Sequence, residues 1–169
     1  DFLNTKIVGG ALYDYSPVTY WAYLLEMKAY LNPGTPGKQT VDHYEITAER
    51  QDVKLSNYTA DIFNTAGYAQ VSINPLEKLI VTAGARYDNL KVNYNNAIDS
   101  STGTKIYDKP TFKFGANYNP VQFTGIYANY AQGFAPPGIT SIFRAKPGTG
   151  GTTGKPAQFY YNLEPATFN

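Results

Sequence analysis

The sequence contains no cysteine and a single histidine, His43, among its 169 residues. Disulfide scaffolds, thiolate metal sites and cysteine nucleophiles are therefore excluded, and so is a histidine-rich metal site. Charged residues make up only 16% and the formal net charge is +1, so nothing in the overall charge suggests nucleic acid as a partner. The acidic residues show no spacing typical of a general acid/base pair. We therefore expect no enzyme activity, no cofactor and no bound metal.

Long hydrophobic runs are also missing, since no stretch approaches the roughly 18 apolar residues that a membrane-spanning helix needs. A helical membrane protein is excluded. A membrane β-barrel is not, because its strands alternate apolar and polar side chains and average out in hydropathy. The chain begins at Asp1 and shows no basic segment followed by an apolar one. We expect that a signal peptide was removed or that the chain is an internal piece of a longer protein.

The sequence is rich in tyrosine, with 16 Tyr beside 9 Phe, and in alternating apolar and polar residues, which are typical of β-strands with two different faces. The pattern is clearest at 79–89, where the apolar residues occupy odd positions. Further strands are predicted at 6–15, 63–73, 112–118 and 124–131, with one more beginning near Leu163.

The predicted connections alternate in length. Compact turns are predicted at 74–78 and 119–122, each with an Asn-Pro pair whose proline presets φ. Residues 20–31 are compatible with a short helix within a loop or with an extension of the first strand. Short turns at one end and long loops at the other are typical of transmembrane barrels, whose short turns are periplasmic. Long loops are predicted at 16–57, 93–110 and 138–161, and His43 falls in the first of them.

In a membrane barrel the apolar strand face contacts lipid and aromatic side chains gather at the two interfaces. Tyr87 and Tyr130 are predicted at the long-loop end and Tyr118 at the short-turn end. A soluble antiparallel sheet alternates equally well, but the unequal loops and the tyrosine excess favour the membrane. Arg86 and Asp88 are interpreted as a structural ion pair or as part of a solvated wall, in preference to a lumen pair that contacts a plug domain. The residues predicted to face the lumen are Thr82, Arg86, Asp88, Lys113 and Asn129.

About five or six strands are too few for a closed membrane barrel, which needs about eight or more. An open wall would leave strand edges bare in lipid. We therefore predict that residues 1–169 are all-β and form part of the wall of a larger transmembrane barrel.

Three segments resemble the barrel of TonB-dependent outer-membrane receptors. The first is Tyr68-Ala69-Gln70, followed by the Asn74-Pro75 turn and by VTAGARYD at 81–88. The others are IYANYAQGFAPP at 126–137 and YNLEP at 161–165. Their order and spacing fit over residues 60–169, whereas the first sixty residues are similar only in layout.

The resemblance implies a barrel of about 22 strands filled by an N-terminal plug domain, in the outer membrane of a Gram-negative bacterium. The plug, which we expect to be absent from this chain, would contact the TonB complex that supplies energy. The implied function is import of a scarce nutrient, most often a ferric siderophore, with haem, cobalamin and glycans as alternatives. A small complete outer-membrane barrel or adhesin and a secreted glycan-binding β-protein remain competing hypotheses.

Ligand contacts are expected in the long loops, where aromatic and cationic side chains occur together. This combination suits an anionic, partly aromatic iron chelate through stacking and ion pairing. Packing between loops and anchoring at the membrane interface are equally compatible roles. The candidates are Tyr20, Trp21, Tyr23 and Tyr30 in the first loop and Phe143, Arg144, Lys146, Lys155, Phe159, Tyr160 and Tyr161 in the last.

Overall fold

The computed structural model describes residues 4–150 and 156–168, and its main element is one antiparallel sheet of five strands. Each strand pairs with the next along the chain, which is the up-and-down topology of a barrel wall. No helix in these two ranges is long and apolar enough to cross a membrane. The sheet consists of β1 (Thr5–Leu31), β2 (Val41–Leu76), β3 (Leu79–Asn96), β4 (Thr102–Val121) and β5 (Thr124–Ala131).

Three short elements follow the sheet. Strand β6 (Gly133–Ala135) continues the direction of the chain after a break at Gln132, and helix α1 (Ile139–Ile142) is a single turn. Strand β7 (Ala166–Phe168) returns to pair with β6 in antiparallel fashion. The two strands therefore close a long connection between Pro136 and Pro165, which we call the last loop.

The predicted strands are confirmed, but two predicted long loops are wrong. Between β1 and β2 only residues 32–40 lie outside the strands, and the segment 20–31 continues β1 as a strand. Between β3 and β4 only residues 97–101 lie outside. His43 consequently lies in β2, where its ring stacks on Tyr30 with centroids 4.4 Å apart.

The reason for these differences is that cross-strand pairs hold the strand ends. Arg50 of β2 binds Glu26 of β1 with an Nη1–Oε1 distance of 3.0 Å. The hydroxyl of Tyr30 donates to Glu45 at 3.1 Å. Such pairs add to the backbone ladder between the two strands. Because they join residues far apart in the sequence, the local sequence pattern does not predict them.

The two short turns share one backbone design. Two residues connect β2 to β3 (Glu77 and Lys78), and two connect β4 to β5 (Gln122 and Phe123). The strand before each turn contains a bulge, between Ile73 and Leu76 or between Tyr118 and Val121, and each bulge holds an Asn-Pro pair. Proline has no N–H to donate, so a bulge is one of the few strand positions that tolerates it.

The cross-strand register collects the apolar side chains of all five strands on one face. Val71 pairs with Ala83, Ala83 with Phe114, and Phe114 with Tyr130. These side chains have no protein layer over them, and Phe114 is 53% exposed and Ile7 is 76% exposed. This apolar face includes Ile7, Tyr13, Val71, Val81, Ala83, Ala85, Tyr87, Phe112, Phe114, Ile126 and Tyr130.

The buried core lies on the opposite face, at the strand ends far from the short turns. There Ala60, Val92 and Tyr107 of β2, β3 and β4 pack against the last loop. The loop contributes Ile142, Phe143 and Phe159, and we call these six residues the loop core. The sheet thus buries one face near the last loop and leaves the other face uncovered along its length.

Candidate functional site

The residues predicted to face a lumen all lie on the face opposite the apolar face. Thr82 pairs with Gly115 and Gly115 with Asn129, so these positions share one face of β3, β4 and β5. Lys113 pairs with Gly84, between Thr82 and Arg86 on the same face of β3. That this face lines a lumen stays a prediction.

Arg86 and Asp88 form a two-pronged ion pair along one strand. Arg86 donates from Nε to Oδ2 at 2.8 Å and from Nη2 to Oδ1 at 2.7 Å. Asp88 is buried, so the guanidinium satisfies a carboxylate that would otherwise be costly to remove from water. The predicted structural ion pair is therefore present, and both carboxylate oxygens are engaged by it.

The last loop is fixed to the sheet by aromatic packing. Phe143 is 4% exposed and stacks on Tyr94 of β3 with ring centroids 4.6 Å apart. Phe159 is 7% exposed and meets the edge of Phe143 at 5.4 Å. Phe143 and Phe159 therefore pack in the loop core instead of facing solvent, which corrects their predicted role as ligand contacts.

Hydrogen bonds and a glycine complete the attachment of the loop. Lys105 Nζ donates to the carbonyl oxygen of Tyr161 at 2.7 Å, and the Tyr107 hydroxyl donates to that of Leu163 at 3.3 Å. A Cβ at Gly103 would stand 2.7 Å from both the Phe143 ring and the Tyr161 hydroxyl oxygen. Burial raises the pKa of the Tyr107 and Tyr161 phenols above the ordinary tyrosine value.

The exposed side of the last loop carries the predicted cations beside an aromatic ring. The Lys146 amide donates to the Gln158 carbonyl at 2.7 Å and the Tyr160 amide to the Arg144 carbonyl at 3.3 Å. This short antiparallel pairing places Lys146 Nζ 5.8 Å from the centroid of the Tyr160 ring. Arg144, Lys146 and Tyr160 are all exposed. Lys155 and residues 151–154 lie outside the described residues.

All four predicted ligand residues of the first group (Tyr20, Trp21, Tyr23 and Tyr30) belong to β1 and not to a loop, so they are divided between the two faces of this strand. Tyr20 stacks on Tyr58 at 5.3 Å, and Tyr58 contacts Tyr94 at 5.2 Å, so Tyr20 joins the aromatic side chains beneath the last loop. Trp21 points to the other side of β1, where it stacks on Tyr23 at 5.7 Å. The structure therefore brings Tyr20 towards the last loop and leaves Trp21 and Tyr23 apart from it.

The strand residues that hold the loop were missed by sequence reasoning. The detectable signal is a change of phase in β3: apolar residues occupy odd positions up to Tyr87 and even positions from Leu90 to Tyr94. Such a switch indicates that the buried face changes. Among residues 4–150 and 156–168, no group of three or more His, Asp or Glu could hold a metal ion.

Comparison with known families identifies what the chain is similar to. The family model described as "TonB dependent receptor-like, beta-barrel" matches residues 3–168. This range includes the first sixty residues, for which the motifs indicate similarity only in layout. No curated protein matches the chain.

Proposed function

Since this chain belongs to the TonB-dependent receptor family, as a section of its β-barrel, we propose that the complete receptor imports a ferric siderophore. Proteins of this family are receptors and transporters of the Gram-negative outer membrane, and they take up small ligands through interaction with TonB. The proposal concerns the identity of the ligand and the residues that capture it.

The proposed orientation places the apolar face against lipid and the opposite face towards the lumen. On β3 the apolar face runs from Leu79 to Tyr87, close to the roughly 9–11 residues that a tilted membrane strand needs. Tyr87, Phe112 and Tyr130 form its upper border, as an aromatic girdle would. The short turns then lie in the periplasm, and the last loop lies outside the cell.

The observation that carries the ligand assignment is the exposed surface of the last loop. Arg144 and Lys146 lie beside Tyr160, which is 39% exposed. Catecholate iron chelates combine negative charge with aromatic rings, so they can form ion pairs with both cations and stack on tyrosine. Because the loop core already holds this segment, binding loses less conformational entropy than it would on a free loop.

The test compares cation and aromatic variants of the full-length receptor in intact cells. The probe is a ferric tris-catecholate, and the measured quantity is its Kd at the cell surface. Arg144→Ala together with Lys146→Ala should raise the Kd by about a hundredfold or more, because each charge-assisted contact contributes about 1.5–3 kcal/mol and about 1.4 kcal/mol is a factor of ten. Tyr160→Ala should raise it less. Lys38→Ala, in the turn between β1 and β2, is the matched control and should leave the Kd unchanged.

The same variants separate the siderophore from a glycan ligand. A glycan-binding surface would depend on Tyr160 and not on Arg144 or Lys146, because sugars stack on aromatic rings and carry no charge for the cations to recognise. If removing the cations leaves both uptake and affinity for iron chelates unchanged, the proposed capture role of the last loop is wrong.

A further inference from the structure

The long hairpin formed by β1 and β2 extends beyond the rest of the sheet. Strand β3 ends at Asn96, opposite Tyr58 of β2. Beyond this pair, β1 and β2 form a ribbon of only two strands within the described residues, and we call residues 21–57 the outer hairpin. A ribbon of two strands is marginally stable in water unless another layer packs on it.

One face of the outer hairpin is apolar and uncovered. The register shifts come from extra residues in β2, so β1 alternates without interruption and its odd positions continue the apolar face from Ile7 and Tyr13. The opposite face carries charged pairs such as Arg50 with Glu26. Six large side chains on the apolar side are 44% to 66% exposed, and we call them the hairpin patch: Trp21, Leu25, Met27 and Leu31 of β1 with Tyr44 and Ile46 of β2.

In the proposed orientation the hairpin patch lies outside the hydrocarbon layer. The apolar face of β3 ends at Tyr87, which pairs with Gly67 of β2, and Gly67 pairs with Ala11 of β1. Trp21 lies about 33 Å further along β1 than Ala11, so lipid chains do not cover the patch. Because its face continues the lipid side of the wall, the patch does not belong to the path of an imported ligand either.

The size of the hairpin patch fits a protein partner. A fully covered aromatic side chain buries about 150–250 Å², so six large apolar side chains that are each roughly half exposed offer on the order of 600 Å². This is at the upper end of the apolar patches that monomers usually expose, about 300–600 Å². It approaches the roughly 800 Å² per partner of a stable interface.

Two charges within the same face match a second copy of the chain. Lys54 and Glu49 of β2 lie opposite consecutive odd positions of β1, so a cation and an anion occupy neighbouring rows about 7 Å apart. Both are exposed, and neither forms an ion pair with another residue of the described ranges. The face therefore carries equal and opposite charges side by side, as a surface that pairs with itself requires.

The membrane fixes how two such faces meet. Copies inserted into one membrane point in the same direction, so a symmetric pair is related by a two-fold axis along the membrane normal. When two patches face each other across this axis, β1 of each copy lies over β2 of the other. Met27 then packs against Ile46 of the second copy, and Lys54 lies one row from the second copy's Glu49. A second copy always presents this pattern at the same height above the membrane.

We propose that the hairpin patch is a contact between two copies of the receptor, outside the outer membrane. The two ribbons pack face to face at about 10 Å, as stacked sheets do. Both copies are already held in one membrane with one direction, so association costs less rotational freedom than it would in solution. The inference goes beyond import, and it uses the proposed orientation but not the identity of the ligand.

Cross-linking through one introduced thiol tests the contact in intact cells. Ala29 is exposed on the patch face, and its neighbour Lys28 is exposed on the opposite face. This chain contains no cysteine, so full-length receptors freed of any other reactive cysteine carry Ala29→Cys or Lys28→Cys, each expressed with two different tags. A bismaleimide that spans about 10 Å should join Ala29→Cys copies into a product with both tags. Lys28→Cys copies should give at least about fivefold less of that product.

Charge reversal tests whether the face is complementary to itself. Lys54→Glu gives neighbouring rows the same sign and should lower the yield of the doubly tagged product from Ala29→Cys by about threefold or more. Lys54→Glu together with Glu49→Lys restores opposite signs and should restore the yield. A contact with any other protein would not recover when both charges are exchanged, and such a result would overturn the proposal.

A charge in the middle of the patch gives a second, independent comparison. Met27→Asp should lower the yield from Ala29→Cys by about fivefold or more, because the carboxylate would be buried against the second copy. Lys28→Asp is the matched control on the opposite face and should leave the yield unchanged. Heat-dependent gel mobility establishes that each variant barrel is folded.

Equal yields from Ala29→Cys and Lys28→Cys would indicate random collision and would overturn the contact. So would a thiol at position 29 that joins no second copy because another protein, or another segment of the same receptor, covers the patch.

Failure of this inference is distinguishable from failure of the proposed function, because cross-linking needs no ligand. If the copies cross-link but do not bind the ferric tris-catecholate, the contact stands and the siderophore assignment fails. If the receptor binds that chelate through the last loop but its copies do not cross-link, the siderophore assignment stands and the contact fails.

Discussion

The two halves of the sheet carry their apolar side chains on opposite faces. In the half near the short turns, the apolar side chains form an uncovered face, with Ala83 and Phe114 near its centre. In the half near the last loop, the apolar residues of β3 move to the other face, where Val92 is buried under Phe143 and Phe159. The change occurs around Asn89, within one continuous strand. A single strand therefore crosses two environments, and the phase of its alternation identifies each.

Because the apolar side chains lie on opposite faces in the two halves, each half is stabilised by a different environment. The half with the loop core removes apolar surface from water by packing protein on protein, which contributes about 25 cal/mol per Å² of buried apolar area. In the proposed orientation, the half with the apolar face obtains the same stabilisation only from lipid. Substitutions in the two halves should therefore have different consequences, and the variants below are ordered by expected effect.

The largest effect is expected from Phe143→Ala in the loop core. Removing a buried phenylalanine costs about 3–5 kcal/mol, and that loss should fall on the docking of the last loop. Hydrogen exchange should show reduced protection of the Lys146 and Tyr160 amides, which pair within the loop, and unchanged protection of β3 between Leu79 and Tyr87. Tyr160→Ala is the control with an exposed ring. Equal losses for the two variants would show that the loop core does not hold the loop.

The next effect is expected from Ala83→Arg in the other half. An arginine on the lipid side at mid-bilayer costs about 2–4 kcal/mol, so the yield of the full-length barrel folded into lipid vesicles should fall. Thr82→Arg introduces the same charge one position away, on the opposite face, at the expense of the Thr82–Ser72 hydroxyl contact of 3.0 Å. We expect it to fold nearly as well as the wild type. Similar folding yields for both variants would refute the assignment of the faces.

The smallest effect is expected from Gly103→Ala. The added methyl group would meet the Phe143 ring and the Tyr161 hydroxyl at 2.7 Å, and crowding of this kind costs about 1–3 kcal/mol. The last loop should shift, with a modest loss of protection at the Tyr160 amide. Gly67→Ala is matched to it, because a Cβ at Gly67 meets nothing within 4 Å. A loss of protection that is the same in both variants would point to backbone effects and not to contact with the loop.

The sequence predicts the half of the sheet near the short turns better than the half near the last loop. Alternation at 79–87 and the repeated Asn-Pro pairs depend on local rules, so the strands, the short turns and the shared face of Thr82 and Asn129 follow from them. The long extension of β1 and β2 does not follow from local rules. It is held by cross-strand pairs between residues distant in sequence, such as Arg50 with Glu26.

The candidate site is predictable only in part, for a related reason. Cations and aromatic residues in the last loop are visible in the sequence, but which of them face solvent depends on contacts with distant strands. Phe159 and Tyr160 are neighbours of similar type, yet the first is buried and the second is exposed. The contact that separates them is the packing of Phe159 with Phe143 and Tyr94, and no local pattern encodes that partnership.

The change of face along β3 can be measured by introducing a spin label at each position from Val81 to Tyr94 of the full-length receptor in lipid. Collisions with oxygen, which concentrates in lipid, and with a water-soluble nickel complex are recorded at every position. We expect oxygen collisions to peak at odd positions through Tyr87. From Leu90 onwards the even positions should be shielded from both reagents, and the odd positions should be open to nickel. Oxygen peaks that keep the odd phase through Tyr94, or alternation that is absent throughout, would contradict the two-environment sheet.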